Sequence, residues 1–184
     1  MYRLKFIIPT LCICALSTVF TQCKKTSNTT ATVVNVDTSN NNIAITSIDS
    51  TSFILPNAFT PNGDGMNDTY FGIASNPGRI SSYSLSIYES TGKLAFHTTT
   101  IATGWDGKVN GILDTNYRYE VHVSFTTVSG ISYNGNTFLF LLPNSPSGSC
   151  VVGKKADINS YIFSDQVDEA TGTHPYATRE QICF

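Results

Sequence analysis

Apolar and polar positions divide the chain into four textures. Phe6 to Phe20 is an apolar run of 15 residues, broken by Pro9. Thr26 to Ser52 is polar, with Ser, Thr or Asn at 17 of 27 positions and Val and Ile scattered between them. From Phe53 to Leu142 short apolar stretches are cut by turn signals. From Asn144 the pattern loosens again, and Pro146, Ser147 and Gly148 open a tail.

The third texture predicts a small all-β sandwich. Phe53-Ile54-Leu55 is a short apolar strand closed by Pro56. Tyr83 to Tyr88 and Tyr117 to Val123 alternate large residues with polar or charged ones, so each strand turns one face to a core and one to water. Thr91-Gly92 and Ser129-Gly130 are natural hairpin turns between such runs. Thr137 to Leu142 is apolar on both faces, which predicts a central strand or one covered by the tail. No stretch repeats at 3.6 residues, so helix is expected to be minor.

The second texture lacks the apolar density to pack by itself and predicts an extended, disordered tether over 23–52. Val33-Val34-Asn35-Val36 and Ile43-Ala44-Ile45 leave open the alternative of added strands. The first texture is too short and too broken to span a bilayer comfortably. Preceded by Arg3 and Lys5, it reads as a signal segment over 1–22. It ends in Val19-Phe20-Thr21-Gln22-Cys23, with a cysteine where cleavage is expected. This resembles a bacterial lipoprotein signal, which implies lipid on Cys23 and an outer-membrane anchor. Ordinary secretory cleavage is the alternative.

Composition supports a location outside the cytoplasm. Only 13% of residues are charged, and 11 Lys+Arg stand against 13 Asp+Glu. There is no basic surplus to neutralise phosphates, which argues against a nucleic-acid partner. Cleavage before Cys23 removes Arg3 and Lys5 and leaves 162 residues, with 9 basic against 13 acidic, for a net charge of −4. Membrane attachment must then come from the lipid, for which several acyl chains suffice. Cys12 and Cys14 leave with the signal and Cys23 is committed to lipid, so Cys150 and Cys183 are the thiols that remain. In an oxidising compartment one disulfide between them is the simplest arrangement, closing a loop of roughly 34 residues and stabilising it by about 3–4 kcal/mol. A redox or nucleophilic cysteine is the alternative, though the Cys-x-x-Cys spacing is absent.

The most specific stretch runs from Leu55 to Tyr70 and contains Pro56, Asn57, Phe59, Thr60, Pro61, Asn62, Gly63, Asp64, Gly65, Asn67 and Asp68. Physically it is a strand end, a glycine-broken loop with Asn and Asp side chains able to bond back to the backbone, and a resumed strand at Thr69-Tyr70-Phe71. It resembles the opening motif of the gliding-motility-associated C-terminal domain of Bacteroidetes, the type B sorting domain of the type IX secretion system. Further landmarks follow in order. They are Tyr83 to Tyr88, then Gly92-Lys93-Leu94-Ala95-Phe96, then Gly104-Trp105-Asp106-Gly107, then Tyr117-Arg118-Tyr119. The resemblance implies an immunoglobulin-like antiparallel sandwich that directs proteins across the outer membrane. Such a domain normally ends its protein, whereas here 42 residues follow Leu142. The expected organisation is therefore a signal peptide over 1–22, a tether over 23–52, a sorting domain over 53–142 and a disulfide-closed extension over 143–184.

Candidate chemistry is sparse. Asn62, Asp64, Asn67, Asp68 and Asp106 concentrate hard oxygen ligands, as Ca²⁺ requires, but the EF-hand spacing fails because Phe71 stands where its bidentate Glu belongs. Asx turns in the loop are the alternative reading. Trp105 is either a ligand-stacking aromatic or a core residue. The histidines at 97, 122 and 174 lack metal spacing, Gly130 to Asn134 falls one residue short of a nucleophile elbow, and no glycine-rich phosphate loop suggests a nucleotide. The expectation is a non-enzymatic envelope lipoprotein acting in surface targeting or protein–protein adhesion, with type IX components or another surface protein as partner. Freely secreted type IX cargo and a carbohydrate-binding module are the competitors.

Overall fold

The computed structural model describes residues 33–37, 43–142, 161–171, 173 and 175–180. Cys23, Cys150 and Cys183, with the lipidation and disulfide expected of them, lie outside these residues, as does His174.

Three ten-residue strands form the centre: β6 (Ile80–Glu89), β10 (Arg118–Thr127) and β11 (Ser132–Leu141). β6 and β10 alternate as their sequences predict, and β11 alternates in burial as well. Tyr83, Leu85 and Ile87 point inward from β6, Tyr119, Val121, Val123 and Phe125 from β10, and Tyr133, Leu139 and Leu141 from β11. The predicted turns join them. Gly92, at φ +82°, donates its amide to Glu89 O (2.8 Å) between β6 and β7 (Leu94–Thr98), and Gly130 donates to Thr127 O (2.9 Å) between β10 and β11. Their φ lies where a side chain is disfavoured.

The larger sheet runs β1-β11-β10-β6-β7, where β1 is Val33–Asp37 and β4 (Ala58–Phe59) also pairs with β11. β1 lies parallel to residues 132–136 of β11 and β4 parallel to residues 140–141, so this edge departs from the expected all-antiparallel pattern. Two separate pieces of chain share the outer edge of β11 and satisfy its backbone groups. Opposite lies a three-stranded sheet of β2 (Ile43–Ile48), β3 (Thr51–Leu55) and β5 (Ile73–Ala74). A small ribbon pairs β8 (Lys108–Val109) with β9 (Ile112–Leu113). The protein is thus all-β, with single 3₁₀ turns at Pro77–Arg79 and Ser164–Gln166 as the helical pieces among the described residues.

The tether expected over 23–52 needs correction where β1 and β2 form. The short Val and Ile runs that carry too little apolar surface alone are held by ladders, β1 on β11 and β2 on β3. Asp49 and Ser50, at φ +48° and +60°, make the two-residue turn into β3, the conformation a tight hairpin requires. Resumption of a strand at Thr69-Tyr70-Phe71 is also corrected. Only an isolated bridge, Tyr70 to Trp105, forms there, and pairing restarts at Ile73.

β3 is buried on both faces. Phe53 and Leu55 face the larger sheet, with the Phe53 ring 4.9 Å from Phe125 and 6.2 Å from Tyr83. Ile54 faces the other way, where Ile73, Ile162 and Val167 close over it. Burying one such side chain contributes about 1.5–3 kcal/mol, so an uncovered Ile54 would be a standing cost. The tail supplies the cover. It passes on to a third cluster in which Phe163, fully buried, meets Ala58 and Leu142, with Phe140 and Tyr161 alongside. The two-faced run at 137–142 is therefore both internal to its sheet and covered by the tail.

Candidate functional site

The loop between β4 and Tyr70 is built by its own polar side chains. Pro56 ends β3, and Phe59 anchors the loop by its ring, 6.0 Å from Tyr70 and 5.5 Å from Trp105. Thr60, buried, donates its amide to Asn67 O (2.9 Å), and Asn62 donates to Thr60 O (2.7 Å), which closes the loop at its base. Asp68 fills the centre. One of its oxygens accepts from Gly63 N (2.6 Å) and the other from Gly65 N (2.7 Å). Gly63 and Gly65 stand at φ +83° and +87°, which lets both amides turn toward one carboxylate. Asn62 accepts from Asp64 N (2.9 Å), and Asp64 accepts from Met66 N (2.8 Å).

Gly104-Trp105-Asp106-Gly107 packs beside this loop. Trp105 and Tyr70 exchange two backbone hydrogen bonds of 2.9 Å. The Trp105 ring is 1% exposed, lies edge-on to Tyr119 at 4.8 Å, and donates Nε1–H to Lys108 O at 3.0 Å. Gly104 lets the chain pass close to Thr69 and the Tyr70 carbonyl, and Gly107 meets Pro61, Leu113 and Leu141. Asp106 pairs with Lys108 Nζ (2.9 Å), and that hydrogen bond holds its carboxyl below the ordinary carboxylate value. A shallow groove of about 360 Å³ remains between Pro61, Asp68, Asp106, Lys108 and Leu113.

The five residues weighed for calcium divide among three places. Asn62, Asp64 and Asp68 hold the loop, Asp106 lies across the groove, and Asn67 turns inward to the tail. Asp68 accepts from two backbone amides and Asp106 pairs with a lysine, while Asn62 and Asp64 form the Asx turns that the alternative reading expected. Among the described residues no group of three or more His, Cys, Asp or Glu converges as a metal site would. An aromatic platform for sugar is equally unsupported at Trp105 and at the nearby tyrosines of the Tyr117-Arg118-Tyr119 landmark. Trp105 and Tyr119 are buried, while the half-exposed Tyr117 packs on Phe140 and shares a hydroxyl contact with Tyr161.

The tail reads the loop in detail. Asn57 and Ala58 donate their amides to Ile162 O (3.0 and 3.3 Å), and Ile162 N donates back to Asn57 Oδ1 (2.6 Å). Asn67, at φ +49°, is the hub. Its Nδ2 donates to Glu180 Oε2 (3.0 Å) and Asp165 Oδ1 (3.2 Å), while its Oδ1 accepts from Ser164 Oγ (2.8 Å) and Asp165 N (3.1 Å). Asn62 Nδ2 adds a bond to Glu180 Oε1 (3.1 Å). Burial, and after it the charges of Asp64 and Asp165, hold the Glu180 pKa above its ordinary value against the pull of Asn67. Ser164, Asp165 and Glu180 did not stand out in sequence. Tyr161-Ile162-Phe163, an apolar triplet in a polar tail, was the available signal.

Residues 53–137 match the family model of the CHU_C type IX secretion signal domain. This stretch is a domain of that family. No curated protein and no solved structure matches the chain. The signal domain begins in β3 and takes in both motif segments and most of β11. The tail residues that clasp its loop fall outside the match.

Proposed function

We propose that the protein is a type IX-sorted envelope protein without catalytic activity. In this reading it is held at the outer membrane by lipid on Cys23 and acts in surface targeting or protein–protein adhesion. The observation that carries the reading is the signal domain at 53–137, whose two motif segments are locked together by the Tyr70–Trp105 bridge. A domain of this kind marks a secreted or cell-surface protein. Cysteine at position 23 behind an apolar run supports the lipid anchor. The loop carboxylates serve hydrogen bonds within the protein, which supports recognition over catalysis.

Metabolic labelling with a palmitate analogue tests the anchor. Wild-type protein should carry the label and Cys23→Ala should lose it. An unlabelled wild type, or label that survives the substitution, would replace the anchored reading with freely secreted type IX cargo, a role for which the same signal domain suffices.

A further inference from the structure

The tail meets the signal domain as a ligand meets a groove. Phe163 packs in one cluster with Ala58 and Leu142, Ile162 and Val167 close over Ile54, and the Ile162 carbonyl accepts from the backbone amides of both Asn57 and Ala58 while its own amide donates to the Asn57 side chain. Two carboxylates then take the loop amides, Asp165 from Asn67 and Glu180 from both Asn62 and Asn67. None of these tail residues belongs to the main core cluster between the sheets. Three apolar anchors must offset the ordering of the tail residues they hold, a far closer balance than that of the ten-residue central ladders.

We propose that the face formed by β3, β4 and the 60–68 loop is a docking site for an extended segment with an aromatic anchor followed by carboxylates, and that residues 161–180 occupy it in cis as a removable cover. The proposal rests on reading 53–137 as the sorting domain and adds that its motif loop is held closed. A partner that recognises Asn57, Asn62 or Asn67 binds only the open state, so its apparent affinity falls by the open fraction. The cover dissociates without unfolding the sandwich, because its contacts are peripheral to the main core.

Native-state hydrogen exchange on the full chain tests this in isolation from secretion. The Asn57 and Ala58 amides, which are bonded to Ile162, should exchange through a local opening at low denaturant. Amides of the β10–β11 ladder should exchange only on global unfolding. In F163A/D165A/E180A the Asn57 and Ala58 amides should exchange at least tenfold faster with the ladder unchanged. Three results would overturn the proposal: one shared opening for both groups in wild type, unchanged exchange at Asn57 and Ala58 in the variant, or loss of ladder protection in the variant. Protection of Asn57 and Ala58 that rises with protein concentration would also overturn it, because the cover would then come from a second copy. None of these outcomes depends on whether the protein is exported by the type IX route.

Discussion

Asn67→Asp is the sharpest perturbation of the clasp, because it replaces one amide group by an oxygen and leaves everything else in place. Asn67 stands at φ +49°, a conformation that Asn and Asp both tolerate, so backbone strain does not enter. The carbonyl side of the group still accepts from Ser164 and Asp165 N. The Nδ2 position becomes a carboxylate oxygen 3.0 Å from Glu180 Oε2 and 3.2 Å from Asp165 Oδ1. Two hydrogen bonds to charged acceptors, each worth roughly 1.5–3 kcal/mol, turn into repulsion. The expected loss near neutral pH is about 3 kcal/mol, with a ceiling at the free energy that holds the tail, since a detached tail relieves the repulsion. Trp105 is the single tryptophan of the chain and lies in the core, so its fluorescence follows urea unfolding. With a slope of about 2 kcal/mol per molar urea, the midpoint should fall by roughly 1.5 M. The new carboxyl has a raised folded-state pKa, so its cost is present at higher pH and fades as pH falls and the protonated group donates again. Midpoints that coincide with wild type at pH 7, or a deficit that does not narrow toward pH 5, would refute the role given to Asn67.

Glu180→Gln should remove a pH-dependent cost. The raised pKa of Glu180 means its contribution is favourable below the ordinary carboxylate value and is lost as pH rises through the shifted one, so wild type should lose ground to E180Q between pH 4 and 7 in calorimetric melts. A constant difference across that range would contradict the assignment. Trp105→Ala should cost about 4 kcal/mol in urea unfolding followed by circular dichroism, from the cavity beside Phe59 and Tyr119 and the orphaned Lys108 carbonyl. Trp105→Phe should cost less than half of that, and equal costs would argue that the indole is not packed as described. Millimolar Ca²⁺ should leave the melting temperature within a degree of its value in EDTA, because the loop carboxylates are already engaged. A rise of several degrees would return the loop to the calcium reading.

What the sequence revealed was what repeats locally. Alternation in Tyr83–Tyr88 and Tyr117–Val123 marked the central strands, and the Gly92 and Gly130 turns marked their hairpins, because side-chain period and turn chemistry act over a few residues. Phe53-Ile54-Leu55 also announced its burial, but not that its two faces serve different partners. β1 and β2 were hidden because their stability comes from ladders with distant strands and not from their own apolar content. The clasp was hidden for the same reason. Asn67 and Glu180 are 113 positions apart, and nothing near either one announces the other. Asn67 read as a turn residue, and at the backbone it is one, while its side chain serves the tail.

Export itself is the most direct test of the central claim, that 53–137 sorts this protein through the type IX system. The full chain, expressed in a bacterium with that system and in the same strain with the outer-membrane translocon disabled, can be followed by protease accessibility on intact cells and by its presence in the medium. Surface or medium protein is expected in the competent strain, and retention inside the outer membrane in the disabled one. Equal exposure in both strains would contradict it.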